Sequence, residues 1–192
     1  DNLRDMEALM CDTIEQARER MERSENGVTG IDTGLTDLNK LTSGWQNGDL
    51  VVFAARPAVG KTMVTLFFAR MAAKTGINVL FCSIEMQGER LGDRLILMES
   101  GINPYSWRNG LTSENEWTEA EETARELSTL PILIDDSPQM SIDSIRAQAR
   151  LLKSKGKCDI IFIDYLQLSD MKTHGKDNRN REQEVAIAAR KS

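Results

Sequence analysis

Four side chains in this sequence have the types and settings needed to work on a phosphate chain. Lys61 and Thr62 close the stretch Ala55-Arg56-Pro57-Ala58-Val59-Gly60-Lys61-Thr62, which fits the phosphate-loop pattern G-x-x-x-x-G-K-[ST] except for alanine at its first position. In such a loop the lysine ammonium meets the outer phosphates as a point charge and the threonine hydroxyl joins the coordination of a magnesium ion. Unpaired amides at the start of a helix converge on the anion. Ala55 is tolerable at a strand end, where glycine is needed only if φ is positive. Pro57 has no N–H, so the cradle falls mainly to the amides of Ala58 through Thr62. A magnesium-nucleotide site also needs a carboxylate near the metal and a group to orient or deprotonate water. Asp164, at the end of the apolar run Ile160 to Asp164, suits the first role, and Glu85, at the end of residues 78–85, suits the second. Asp135 and Asp136 precede Ser137-Pro138 and read as turn caps. His174 has no metal-binding neighbours in sequence.

These groups must be brought to one edge of a fold. Runs rich in Val, Ile, Leu and Phe at 49–55, 78–85, 131–137 and 158–165 read as strands buried on both faces. Helical patterns lie between them. Residues 62–75 are closed by Gly76, 88–100 by Gly101, and 141–155 by Gly156, while 113–127 opens on the capping-box spacing of Ser113 and Glu116. The alternation predicts an α/β, mostly parallel sheet with helices on both faces, whose ligands sit outside the carboxyl ends of the strands. Ahead of it, Leu3, Met6, Met10, Ile14, Ala17 and Met21 form one apolar stripe on a charged helix that ends in the turn residues 24–27. The expected division is a linker helix over 1–25 and a nucleotide-binding domain over 26–192.

With 192 residues, 40% of them apolar, the chain can build a sizeable core. No apolar run approaches the roughly 20 residues of a membrane span, and no charged-then-apolar leader opens the sequence. A soluble, cytoplasmic protein without membrane contact is expected. Cys11, Cys82 and Cys158 are odd in number and lack C-x-x-C spacing, which argues against a disulfide framework and a zinc site. A net charge of -6 excludes a protein that coats nucleic acid with its whole surface, but not a local basic lining. Lys172, Lys176, Arg179, Arg181, Arg190 and Lys191 outnumber the acids Asp177, Glu182 and Glu184 around them. Lys176, Arg179 and Arg181 are therefore candidate DNA contacts, although charge alone fits a solvated loop equally well.

Taken together, residues 27–52, "AARPAVGKT" from Ala54, "SIEM" from Ser83, "IIFIDYLQL" from Ile160 and "DNRNRE" from Asp177 resemble the DnaB-type hexameric replicative DNA helicases, within the RecA-like P-loop ATPases. That family commonly opens its loop with Ala-Arg-Pro, so Ala55 does not depart from it. The resemblance implies ATP and Mg2+ as cofactors, Lys61 and Thr62 as phosphate and magnesium contacts, Glu85 as the catalytic glutamate and Asp164 as the magnesium-organising aspartate. It implies a homo-hexamer held through the linker helix, single-stranded DNA as partner, and primase and a helicase loader as further partners. In the family a further strand lies between the phosphate-loop strand and the Asp164 strand, and an arginine finger and the main DNA loops follow. None of these is found here, so a truncated core with open or directly paired strands and weak catalysis is expected. A RecA-like recombination or repair ATPase, a small-molecule kinase and a nucleotide-binding assembly fragment with little catalysis stay open as alternatives. "DYLQL" weighs against the first, and no acceptor pocket for the second is recognisable.

Overall fold

The computed structural model describes residues 5–23, 27–56, 59–138 and 140–164, which fall into two compact units divided between Asp49 and Leu50. In the first unit, α1 (Met6–Arg23) begins where the Asp5 carboxylate accepts from the Ala8 amide at 2.8 Å. Its stripe residues Met6, Met10, Ile14 and Met21 are all exposed. The short α2 (Thr36–Thr42) belongs to a polar knot that periodicity does not reveal. Asn39 accepts from the Thr33 amide and hydroxyl at 3.0 and 2.8 Å, and its own amide donates to Asp32. An antiparallel bridge joins Ile31 to Trp45. The chain passes so closely there that a Cβ on Gly30 would lie 2.2 Å from the Trp45 carbonyl oxygen, and Gly44 also has φ +86.

The second unit is built on a parallel sheet of β1 (Val79–Ser83), β2 (Ile132–Asp135) and β3 (Ile160–Asp164) in the order β2-β1-β3. Its helices are α3 (Lys61–Lys74), α4 (Gly88–Glu99), α5 (Pro104–Asn109), α6 (Glu114–Leu127) and α7 (Ile142–Ser154). Period-two alternation sends Leu80 and Cys82 to one face of β1, where Ile145 and Ala149 of α7 and Cys158 cover them. Val79, Phe81 and Ser83 face the other way and are equally buried, and α3 lies against all three strands. Of the described strands, only β1 is buried on both faces. Leu133, Ile134 and Ile161 remain exposed on the outer two, so the expectation of full burial fails for β2 and β3.

The expected helices form, with Gly76 and Gly156 in the left-handed region after α3 and α7, whereas α4 ends on an extended Ser100 and Gly101 is not left-handed. Ser113 and Glu116 make the reciprocal capping box, and Ser141 makes a second one with Ser144. The expected strand at 49–55 does not form. Residues 50–56 pair with none of the described strands, and Leu50, Val51, Val52 and Phe53 are exposed, although the Phe53 ring stacks on Phe68 at 5.3 Å. Apolar composition reports that a segment can be buried, whereas a strand also needs a neighbour with free ladder groups. Among the described residues β3 pairs only with β1, and no strand offers that neighbour to 50–56. The sequence reading also missed α5, whose Asn103 accepts from the Tyr105 amide at 2.8 Å ahead of Pro104 and whose turn ends on Gly110.

Candidate functional site

The carboxyl ends of the three parallel strands make one edge. Ser83 stands opposite Asp164, and Cys82, one residue before it, opposite Asp135, so β1, β2 and β3 end within one residue of one another. The pairing continues one step beyond β1, where the Ile84 amide donates to the Asp164 carbonyl at 2.9 Å. Glu85, the next residue, is exposed and therefore leaves the sheet beside Asp164. The sequence-predicted pair Glu85 and Asp164 is thus brought to a common edge by ladder register.

The start of α3 reaches the same edge by arithmetic. Four residues, 75–78, link the end of α3 to the first residue of β1, so the helix ends at the amino edge of the sheet. Its 14 residues rise about 21 Å, against about 17 Å for β1. Lying against all three strands, α3 must run opposite to them and begin near their carboxyl ends. Lys61 is its first residue and Thr62 its second, both half-buried. Gly60, the N-cap, sits in the left-handed region at φ +92, and a Cβ there would meet nothing within 4 Å. Glycine is required at that position by backbone conformation and not by space. Ala55, Arg56 and Val59 are exposed. Pro57 and Ala58, and the candidate DNA contacts Lys176, Arg179 and Arg181, lie outside the described residues.

Asp164 is 4% exposed, and its buried Oδ2 has no hydrogen-bond partner among the described residues. A buried carboxylate oxygen is costly without a donor or a cation, so its presence at the ligand edge of a parallel sheet fits a metal-organising role. The other two strand-end acids are engaged elsewhere. Asp135 accepts from the Ser137 amide at 3.0 Å, and the Ser137 hydroxyl and amide hold its carboxyl below the usual range. That is the expected turn cap. Asp136 does something else, since its Oδ2 accepts from the Gly88 amide at 2.8 Å and so caps α4 from another element. Sequence reasoning also passed over Ser83, a buried hydroxyl that donates to the Met86 carbonyl at 2.7 Å and accepts from its amide at 3.3 Å.

A family model for the DnaB-like helicase C-terminal domain matches residues 30–191. The chain belongs to the DnaB-like helicase C-terminal domain family. It is similar to the replicative DNA helicase DnaB of Geobacillus stearothermophilus, 38% identical over 190 residues, covering 98% of this chain and 40% of that protein. The replicative DNA helicase DnaC of Bacillus subtilis (strain 168) is 39% identical over 182 residues, covering 94% of this chain and 39% of its own length. This DnaB-like chain therefore spans about two fifths of these relatives. Among solved structures it superposes on an ATPase domain with a TM-score of 0.81 at 28% identity, over 95% of this chain and 64% of that one. A DnaB-like replicative helicase, solved in a study of its interactions with primase, gives 0.79 at 28% identity over 100% and 45%. The DnaB-like chain accordingly has the RecA-like ATPase fold that its motifs led us to expect.

Proposed function

We propose that this chain is the ATP-hydrolysing core of a replicative DNA helicase. Residues 1–25 form the subunit-docking linker helix and residues 26–192 the amino-terminal part of the ATPase domain. The observation that carries the reading is the buried Oδ2 of Asp164, without a hydrogen-bond partner among the described residues, on a residue in register with the strand end from which Glu85 emerges. The amides at the start of α3 and the Lys61 ammonium hold the triphosphate of ATP. Thr62 and Asp164 would hold Mg2+, which when bound supplies positive charge to the phosphate oxygens. Glu85, exposed at the edge, takes a proton from the attacking water, and the buried Asp164 oxygen, which has no partner among the described residues, gains one there.

Turnover at subunit interfaces of a homo-hexamer would shift loops that grip single-stranded DNA. Lys176, Arg179 and Arg181 supply base-independent phosphate contacts. The relatives' names as replicative DNA helicases support DNA as substrate, and the solved DnaB-like helicase studied with primase supports primase as a partner. A helicase loader and a cytoplasmic site of action belong to the same reading. ATP hydrolysis measured with and without single-stranded DNA, beside Lys61→Ala, tests the reading. Stimulation by DNA that Lys61→Ala abolishes is expected, and hydrolysis indifferent to Lys61 would reject it.

A further inference from the structure

The segment carrying Glu85 is pinned at three points. At its start the Ile84 amide donates to the Asp164 carbonyl of β3 at 2.9 Å. In its middle the buried Ser83 hydroxyl clasps both backbone groups of Met86, at 2.7 and 3.3 Å. At its end the Asp136 carboxylate, beyond β2, accepts from Gly88 at 2.8 Å. The last bond fills a gap in the local sequence. Gln87 is the N-cap of α4 and its side chain makes no capping bond, so an orphan amide of the first turn is satisfied from a different element, with an anion at the positive end of the helix. Glycine at position 88 allows the approach, since a Cβ there would stand 3.2 Å from Asp136 Oδ2.

We propose that Ser83 and Asp136 are positioning residues that hold Glu85 for the attack on the nucleotide, by fixing the four-residue arch between β1 and α4 to all three strand ends. This rests on Glu85 being the catalytic base of the proposed ATPase. A general base is worth about 10²–10⁴ in rate only within hydrogen-bond reach of its proton, and displacement of about 1 Å can cost about a hundredfold. Phosphate binding at the start of α3 uses none of the arch. Loosening it therefore lowers kcat and leaves nucleotide affinity alone.

Asp136 is exposed, which makes it the safe position to change. Steady-state ATP hydrolysis by Asp136→Ala is expected to show kcat lowered about tenfold or more at an unchanged KM. Asp136→Asn keeps an oxygen acceptor and should stay within about threefold of the parent. In a Glu85→Gln background, Asp136→Ala should add less than about twofold, because it acts through the carboxylate already removed. Ser83→Ala should repeat the kcat loss, and if its burial prevents folding, the Asp136 series decides alone. A full second loss on top of Glu85→Gln, a rise in KM with kcat intact, or no effect of Asp136→Ala would overturn the positioning role. Those outcomes are separable from failure of the ATPase reading, in which Lys61→Ala and Glu85→Gln would themselves leave turnover unchanged, or the unaltered chain would show none.

Discussion

Glu99, at the end of α4, carries the charge balance of a buried corner, and replacing it with glutamine is a direct test of how α3 and α4 are joined. One of its oxygens lies 2.6 Å from Arg70 Nη1 and 2.7 Å from Lys74 Nζ, both on α3. The side chains of Arg70, Glu99 and Lys74 are 10%, 20% and 43% exposed, so the Arg70 pair is desolvated and the Lys74 pair is half in water. Arg70 also sits 5.5 Å from the centre of the Phe67 ring, which gives it no counter-charge. Glu99→Gln keeps the shape but leaves two adjacent cations, one of them buried. Removing one partner of a buried pair costs about 3–5 kcal/mol, and the partial exposure of Glu99 places the expectation near the lower end, about 3 kcal/mol. For a domain of this size that lowers the melting temperature by about 6–12 °C. Urea unfolding followed by far-ultraviolet circular dichroism should show a lower midpoint at unchanged slope. Lys74→Met should cost less than about 1 kcal/mol, and the apolar double replacement Arg70→Met with Glu99→Leu should recover most of the loss. A Glu99→Gln protein melting within about 2 °C of its parent would refute the reasoning.

Gly60→Ala forces a Cβ into the left-handed region at φ +92, a strain of about 1–3 kcal/mol, and should weaken the binding of a fluorescent ATP analogue about tenfold or more; unchanged affinity would count against a loop that starts α3 in this conformation. Burial, and then the nearby Asp135 charge, push the Cys82 thiol up to about 12, and burial raises Cys158 as well, whereas Cys11 is exposed. A thiol reagent at pH 8 should therefore label one cysteine in the folded chain and three in urea, and stability should fall as the pH rises above about 9, where the unfolded thiols ionise first. The Asn78 side-chain amide, then its backbone amide and Lys153, hold the Asp159 carboxyl below its usual value of 3.8. Its contribution to stability is present at neutral pH and lost as pH falls below about 4, so Asp159→Asn should lower the urea midpoint at pH 7 and flatten its dependence on acid.

Much of the fold could be read from residue spacing because its signals are local. Ser113 and Glu116, or Gly76 and Gly156, mark helix ends within a single turn, and the runs behind β1 and β3 differ in hydrophobicity from everything around them. The missed strand pairing and the missed role of Asp136 involve partners distant in sequence. Residues 49–55 have a strand's composition, but a ladder is a property of two segments. The knot of Asp32, Thr33 and Asn39 is polar and spans seven positions, so no hydrophobic period announces it. Within the candidate site, Lys61, Thr62, Glu85 and Asp164 were recognisable because each stands at a strand end or helix start. Asp136 was not, since its bond to Gly88 crosses 48 positions and depends on β2 lying beside β1.

A crystal structure of the chain with magnesium and a non-hydrolysable ATP analogue measures the shared site most directly. The triphosphate should lie on the amides that open α3 with the Lys61 ammonium on its outer phosphates, the ion beside the Thr62 hydroxyl, Asp164 Oδ2 turned toward the ion's surroundings, and Glu85 facing the terminal phosphate. Nucleotide bound away from the start of α3, or an ion with Asp164 and Glu85 both remote from it, would contradict the assignment of these four residues to one ATPase centre.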